Sequence, residues 1–264
     1  MLVTDIMTED VLRVSPGDNA LKTGEHMEAN GIGAAVVLEG DAFNGLLSKE
    51  TFISKIGRHD DKPLESLAVA DLMEDDIDCV NSDDTIEEVV ELLLMQKSII
   101  DRLPVVEDGK VVGLIGKVNF TGVFHEEMEG KHKVGDLMHY SPVTVYDYTS
   151  LPEVVGKIED MCVKRVLVMS GERLAGIITV KDLSLVLFKH RKENARIDPS
   201  SPITAGDMMT PDPVTLKTKD DACDASKLML DLNIGGIPVL EDRLEGLISR
   251  TDLLKGYQIR LSQG

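Results

Sequence analysis

Residues 237–253 read IPVLEDRLEGLISRTDL, and this stretch decides the fold. An apolar segment of strand length, Ile237-Pro238-Val239-Leu240, runs into a charged turn, and a second apolar segment opens on Gly246. The polar Ser249-Arg250-Thr251-Asp252 then leads into a helix. Two short apolar runs about a tight turn, followed by a capping residue, predict a β-hairpin feeding a helix. The same series occurs three more times. Ala34 to Leu38 leads to Gly45-Leu46-Leu47, and Leu103-Pro104-Val105-Val106 leads through Glu107-Asp108-Gly109-Lys110 to Gly113-Leu114-Ile115. Val166 to Met169 leads to Gly176-Ile177-Ile178, and the helices after the hairpins open at Lys49, Lys117, Val180 and Arg250.

Upstream of each hairpin the pattern also repeats. An amphipathic helix, clearest in Ile86 to Met95, follows polar starts at Pro16 to Asn19, Asp83 to Thr85, Thr149 to Pro152 and Lys219 to Asp221. Before these stand β-like segments, Val11 to Val14, Asp78 to Val80, Val143 to Val145 and Val214 to Leu216. Each is preceded by an Asp-hydrophobic-Met anchor: Asp5-Ile6-Met7, Asp71-Leu72-Met73, Asp136-Leu137-Met138 and Asp207-Met208-Met209. Chance could supply one such triplet, but hardly four in phase with the same elements behind them. The chain is one α/β unit in four tandem copies.

A unit of about 60 residues is near the lower limit for folding alone, so units are expected to pair and bury their sheets together. The units are placed at 1–57, 66–125, 133–190 and 203–260, with 1–125 and 133–260 as the two pairs. Polar linkers at Arg58 to Pro63, Glu126 to Lys133 and Lys189 to Pro202 separate them.

Composition narrows the function. A formal charge of -19, spread along the chain, opposes binding to nucleic acid or an anionic membrane, while leaving room for a small anion at a local site. Aromatics are 3% and Trp is absent, so the core falls to aliphatic residues and the twelve Met. Cys79, Cys162 and Cys223 are too scattered for a disulfide or zinc set and read as small core hydrophobes. No secretory leader or membrane-spanning run is seen, which makes the cytoplasm the expected location. There is no P-loop, His-Glu-x-x-His, nucleophile elbow or Cys-x-x-Cys, so no catalytic role, metal or catalytic cofactor is expected.

The order Asp-hydrophobic-Met, strand, helix, Pro-Val-Val-like strand and Gly-hydrophobic-hydrophobic-Ser-x-x-Asp strongly resembles the CBS (cystathionine-β-synthase) domain over almost the whole chain. The resemblance implies an α/β (α+β) fold of β-α-β-β-α units in two sheet-packed pairs, arranged as a flat disc like the γ subunit of AMP-activated protein kinase. It also implies adenosine-containing ligands, AMP, ADP, ATP or S-adenosylmethionine, in clefts between units. Magnesium is a companion if the ligand is ATP, and an unidentified protein reads the change.

The hairpin-to-helix junction is where such a ligand is expected. The glycine admits close approach, a hydroxyl follows three residues on, and an Asp six residues on can accept from a ribose. The helix start favours phosphate. Unit 3 supplies Gly176, Thr179, Lys181 and Asp182, and unit 4 supplies Gly246, Ser249, Thr251 and Asp252. Unit 1 keeps Ser48 but has Thr51 for Asp, and unit 2 has Gly116 and Asn119, so binding is expected in the C-terminal half. A hydroxyl followed by Asp is equally an ordinary helix cap. Arg102 and Arg165 precede the inner strand where the family places a phosphate-binding Arg, with Gly33 and Gly236 in the other two units. Thr149 matches a position that reaches a partner unit's ligand. Lys189-His190-Arg191-Lys192 reads as a solvated helix end or a phosphate contact, and His139 as a weaker candidate. A ligand-free module for self-association, including a homodimer, is the alternative.

Overall fold

In each unit a helix connects a first extended segment to a strand beside it, and a β-hairpin then hands the chain to a last helix. A computed structural model describes residues 1–56, 59, 62–95, 100–192 and 202–261, apart from the side chains of 53 and 187–192. Unit 1 comprises β1 (Leu12–Val14), α1 (Ala20–Ala29), β2 (Ala34–Glu39), β3 (Ala42–Ser48) and α2 (Lys49–Ile56). Unit 2 has a short α3 (Val69–Leu72), β4 (Val80–Asn81), α4 (Ile86–Met95), β5 (Arg102–Glu107), β6 (Lys110–Gly116) and α5 (Lys117–Glu127). Unit 3 has α6 (Val134–Leu137), β7 (Thr144–Tyr146), α7 (Leu151–Asp160), β8 (Arg165–Ser170), β9 (Arg173–Thr179) and α8 (Val180–Lys192). Unit 4 has α9 (Ala205–Met208), β10 (Thr210–Pro211), α10 (Ala222–Asp231), β11 (Gly236–Leu240), β12 (Leu244–Ser249) and α11 (Arg250–Leu261).

Local chemistry accounts for these elements. At the unit 2 hairpin Asp108 and Gly109 both take positive φ, 49° and 75°, as a tight primed turn requires. At the starts of α4 and α7 the Thr85–Glu88 and Ser150–Glu153 pairs form capping boxes, each Glu carboxylate accepting from the cap N–H and hydroxyl. All four hairpins shift register at one place, just after the residue opposite the anchor glycine. Val37 faces Gly45, Val105 faces Gly113, Val168 faces Gly176 and Val239 faces Gly246. A bulge of this kind bends the strand and raises its twist.

The lead-in segments, which carry the Asp-x-Met anchors, cross to the neighbouring unit. Thr8 bridges to Leu114 of unit 2, and Glu74 bridges back to Leu46 of unit 1. His139 bridges to Leu247 of unit 4, and β10 of unit 4 pairs antiparallel with β9 of unit 3. In every anchor the Asp accepts from the N–H three residues before it, closing the turn at Leu2, Ala68, Lys133 and Thr204. In every anchor the Met lies on the neighbour's glycine. A Cβ added at Gly113, Gly45, Gly246 or Gly176 would meet the sulfur of Met7, Met73, Met138 or Met209 at 2.9, 3.2, 3.0 and 2.5 Å. The anchor glycines therefore serve packing between units. On the Cβ side Met209 fills the space at Gly176, and Met138 with the His139 carbonyl fills it at Gly246.

The N-terminal pair forms by sheet packing, with Val11, Val36, Leu46, Val111 and Leu114 in one cluster. The halves join through helices, α2 with α8 on one side and α5 with α10 and α11 on the other. On the second side Leu93, Phe120 and Phe124 of unit 2 and Met229, Leu253 and Tyr257 of unit 4 belong to one continuous core.

Two expectations need correction. The first strand of unit 4 is reduced to a single bridge, Leu216 to Val239, because Pro238 stands where Leu167 of unit 3 donates its N–H to the Val143 carbonyl, and proline has no N–H to give. Of the cysteines only Cys223 is buried; Cys79 and Cys162 are exposed.

Candidate functional site

The four hairpin-to-helix junctions share a backbone and differ in what their side chains do. In unit 3 the Thr179 N–H and hydroxyl both donate to Oδ2 of Asp182, at 2.8 and 2.6 Å. In unit 4 the Ser249 N–H and hydroxyl donate to Oδ2 of Asp252, at 2.9 and 2.6 Å. The cap thus occupies one carboxylate oxygen. No hydrogen bond among the described residues reaches Oδ1 of either Asp.

The unit 2 junction explains its own departure from the pattern. Asn119 Oδ1 accepts from Gly116 N–H while its Nδ2 donates to the Ile6 carbonyl, at 2.9 and 2.7 Å. A carboxylate could not make the second bond. In unit 1 Ser48 and Thr51 cap each other reciprocally and are both 1% exposed. Ser48 is therefore spent on the helix start.

Strand register places Ala34, Arg102, Arg165 and Gly236 at equivalent positions, opposite Ser48, Gly116, Thr179 and Ser249. Unit 1 thus has Ala34 at this position, one residue on from the expected Gly33. The Arg102 guanidinium lies over Gly33, and Arg165 lies over Gly235 and Gly236. Each pair holds one large cation against the small residues of its partner unit.

These arginines meet other charges where the halves come together. Arg102 Nε and Nη2 donate to Oδ1 of Asp101, at 3.3 and 3.2 Å. Lys164 of unit 3 bridges Glu50 of unit 1 and Asp101 of unit 2, at 3.3 and 3.0 Å. Lys117 donates to the Thr251 hydroxyl of unit 4 at 3.1 Å. Arg250 lies in the fields of Asp101 and Arg102, with its Nε buried and, among the described residues, without a hydrogen-bond partner. Among the described residues no carboxylate comes within ion-pair distance of Lys117, Arg165 or Arg250.

The half-buried part of the cluster holds Arg102, Lys117, Lys164, Arg165 and Arg250 against Glu50, Asp101 and Asp252, an excess of two positive charges within an acidic chain, with the exposed Lys255 adding its field at Lys117. Burial, reinforced by Arg250, brings the Arg165 guanidinium down to about 10. Burial likewise lowers Lys117 and Arg250. Burial opposes ionisation of Asp101, but Lys164 and Arg102 outweigh it and hold the carboxyl well below its ordinary range. Half-buried cations without carboxylate partners are chemically suited to an anion.

A cleft of about 200 Å³ opens onto this cluster between units 1 and 2. Thr8, Val11, Gly33 and Asn119 line it, together with Arg102, Lys117 and Arg250. The junction residues alone point to clefts in the C-terminal half. This cleft instead belongs to the N-terminal pair and takes Arg250 from the opposite half.

The remaining candidates scatter. Lys181 is exposed. The Thr149 hydroxyl accepts from Tyr146 N–H and its carbonyl from Ala205 N–H, so it is used on the seam to unit 4. His139 has an exposed side chain and pairs through its backbone with Leu247. The side chains of Lys189 to Lys192 lie outside the described residues. Asp101, Lys117 and Arg250 join the site without belonging to any motif in the sequence. Their one signal is a base at the start of the last helix in Lys49, Lys117 and Arg250, where the helix dipole disfavours a cation.

Acid sensitivity follows from the carboxylates. Asp101, Glu88, Glu153 and Asp207 are all depressed, Asp101 by its cations against burial, the others by bonds from their cap N–H groups and hydroxyls. Their contribution is complete above the ordinary range near 3.8 to 4.5 and is lost as pH falls through the lower folded values. Relief of the -19 charge acts in the opposite sense above that range. The melting temperature is therefore expected to fall below about pH 4. A flat or rising profile in more acid solution contradicts the assignment.

A family profile described as CBS domain matches residues 3–58, 69–124, 134–189 and 205–258. The chain belongs to the CBS domain family. This CBS protein is similar over its whole length to uncharacterized protein MJ1404 of Methanocaldococcus jannaschii, 24% identical over 285 residues, which cover 99% of this chain and 63% of that protein. The chain thus spans somewhat less than two thirds of that relative. Among solved structures, protein MJ1225 of the same organism superposes with a TM-score of 0.87 at 20% identity, over 97% of this chain and 100% of the other. An uncharacterized conserved protein of Pyrococcus horikoshii gives 0.66 at 19% identity, over 97% and 99%. These likenesses show the fold. No described helix of the CBS protein is long and apolar enough to cross a membrane.

Proposed function

We propose that this CBS protein is a regulator that binds an adenosine nucleotide, or a related adenosyl compound such as S-adenosylmethionine, between its units and passes the change to a protein partner. One observation carries the reading: the cations Lys117, Arg165 and Arg250 gathered where the halves meet, none with a carboxylate within ion-pair distance among the described residues. An excess of two charges complements a phosphate monoester dianion. The nucleoside lies in a cleft between paired units, with Asp182 and Asp252 offering their second oxygens to a ribose. The cluster draws residues from all four units, so an anion there favours one arrangement of the halves, and that differential affinity is what signalling needs. The likeness to MJ1225, described as a candidate archaeal homolog of g-AMPK, supports the same reading. Magnesium enters only as the companion of ATP, and the cytoplasm remains the proposed location.

Thermal melting with AMP, ADP, ATP, S-adenosylmethionine and adenosine tests the proposal. At 100 times its dissociation constant the true ligand adds about 2.7 kcal/mol, roughly 5–10 °C. Adenosine should give the smallest shift. Asp182→Asn and Asp252→Asn keep an acceptor for the cap, so a loss of the shift in these variants reports on the ligand. Absence of a shift with all five compounds points instead to the ligand-free association module.

A further inference from the structure

We propose that Asp101 is a built-in anion: its carboxylate takes the place of a ligand phosphate on Arg102 and Lys164, closing these two cations and leaving a single open anion position at Arg165 and Arg250. This rests on the reading of the cluster as an anion receptor. Arg102 stands at the same strand position as Arg165, in the other pair, so the architecture provides two equivalent arginines. Their surroundings differ at the preceding residue. Asp101 precedes Arg102 and bonds its Nε and Nη2, whereas Lys164 precedes Arg165.

The side chains of Arg102 and Asp101 are 24% and 19% exposed, so the pair is formed largely out of solvent. Lys164 completes it from the opposite half at 3.0 Å. An incoming phosphate at Arg102 would have to displace a carboxylate held by two cations and face its repulsion. At Arg165 no carboxylate among the described residues comes within ion-pair distance, and the charges of Asp101, Asp252 and Glu50 reach it only across a longer gap. Unit 2 also withholds the ribose carboxylate, since Asn119 is committed to the Ile6 carbonyl. The two features act together and keep the unit 1–2 cleft from competing for nucleotide in the native protein.

Isothermal titration of AMP into the full chain and into Asp101→Asn tests this. The native protein is expected to take up one AMP per chain. Asp101→Asn is expected to gain a second site. Unchanged stoichiometry overturns the proposal while leaving nucleotide sensing intact. Binding by Asp101→Asn alone removes the open position at Arg165 and Arg250 from the native protein and overturns the proposal. Absence of binding in both removes the receptor and overturns the proposal with it.

If Asp101→Asn does not fold, Arg102→Met decides. Its AMP affinity is expected to stay within about threefold of the native value, because Asp101 already occupies Arg102. A loss of tenfold or more, matching that of Arg165→Met, places Arg102 in the open position and overturns the proposal.

Discussion

Arg165→Met is expected to make the free protein more stable and to abolish its stabilisation by AMP. The guanidinium is half-buried, and burial with the charge of Arg250 pushes it down to about 10 against the more distant Asp101, Asp252 and Glu50, none of which pairs with it among the described residues. Desolvating a cation without a partner costs free energy in the ligand-free state, and methionine fills similar space without that cost. The gain is expected to be about 1–3 kcal/mol, seen as a raised melting temperature. The same substitution removes the main charge that receives a phosphate, so the ligand-dependent rise disappears. Opposite signs in the two measurements distinguish a receptor cation from a structural one. A purely structural Arg165 would lower the melting temperature when replaced and leave any AMP shift in place.

Gly176→Ala is expected to destabilise the C-terminal pair by about 1–3 kcal/mol, and Met209→Ala in the same chain to restore much of the loss. The new Cβ would meet the Sδ, Cγ and Cβ of Met209 at 2.5, 2.8 and 2.9 Å, all side-chain atoms of the crossing anchor. Gly45→Ala provides the contrast. Its Cβ would meet the Glu74 carbonyl oxygen at 2.4 Å, and that backbone is held by two hydrogen bonds to Leu46. Trimming Met73 there should restore little. Chemical denaturation of the single and double variants measures both couplings. Equal rescue at the two sites would show that the anchors do not sit as described.

The repeat and the order of its elements are legible in the sequence because turns, caps and apolar runs act within a few residues. The Glu107-Asp108-Gly109-Lys110 turn and the Ser249–Asp252 cap are both local events of this kind. The crossing of the lead-ins lies beyond such rules, because an Asp-x-Met turn has the same sequence whether it packs on its own unit or on its neighbour. The anchor glycines stand out in the sequence, yet the neighbouring Met sulfur that packs on each of them does not. The central cluster is assembled from residues of all four units, at a strand start in Arg102 and Arg165, at a helix start in Lys117 and Arg250, and within the last helix of unit 1 in Glu50. No contiguous motif announces it. Ser48 shows a related limit, since a capping hydroxyl and a ligand hydroxyl are the same residue in the same place, and only burial separates them.

The most direct test of the central claim is a crystal structure of the protein grown with saturating AMP. The expected result is phosphate density within hydrogen-bond distance of the Arg165 and Arg250 guanidinium groups, with the nucleoside in a cleft between paired units. Phosphate bound elsewhere, or a centre that stays without ligand density at saturation, contradicts the account.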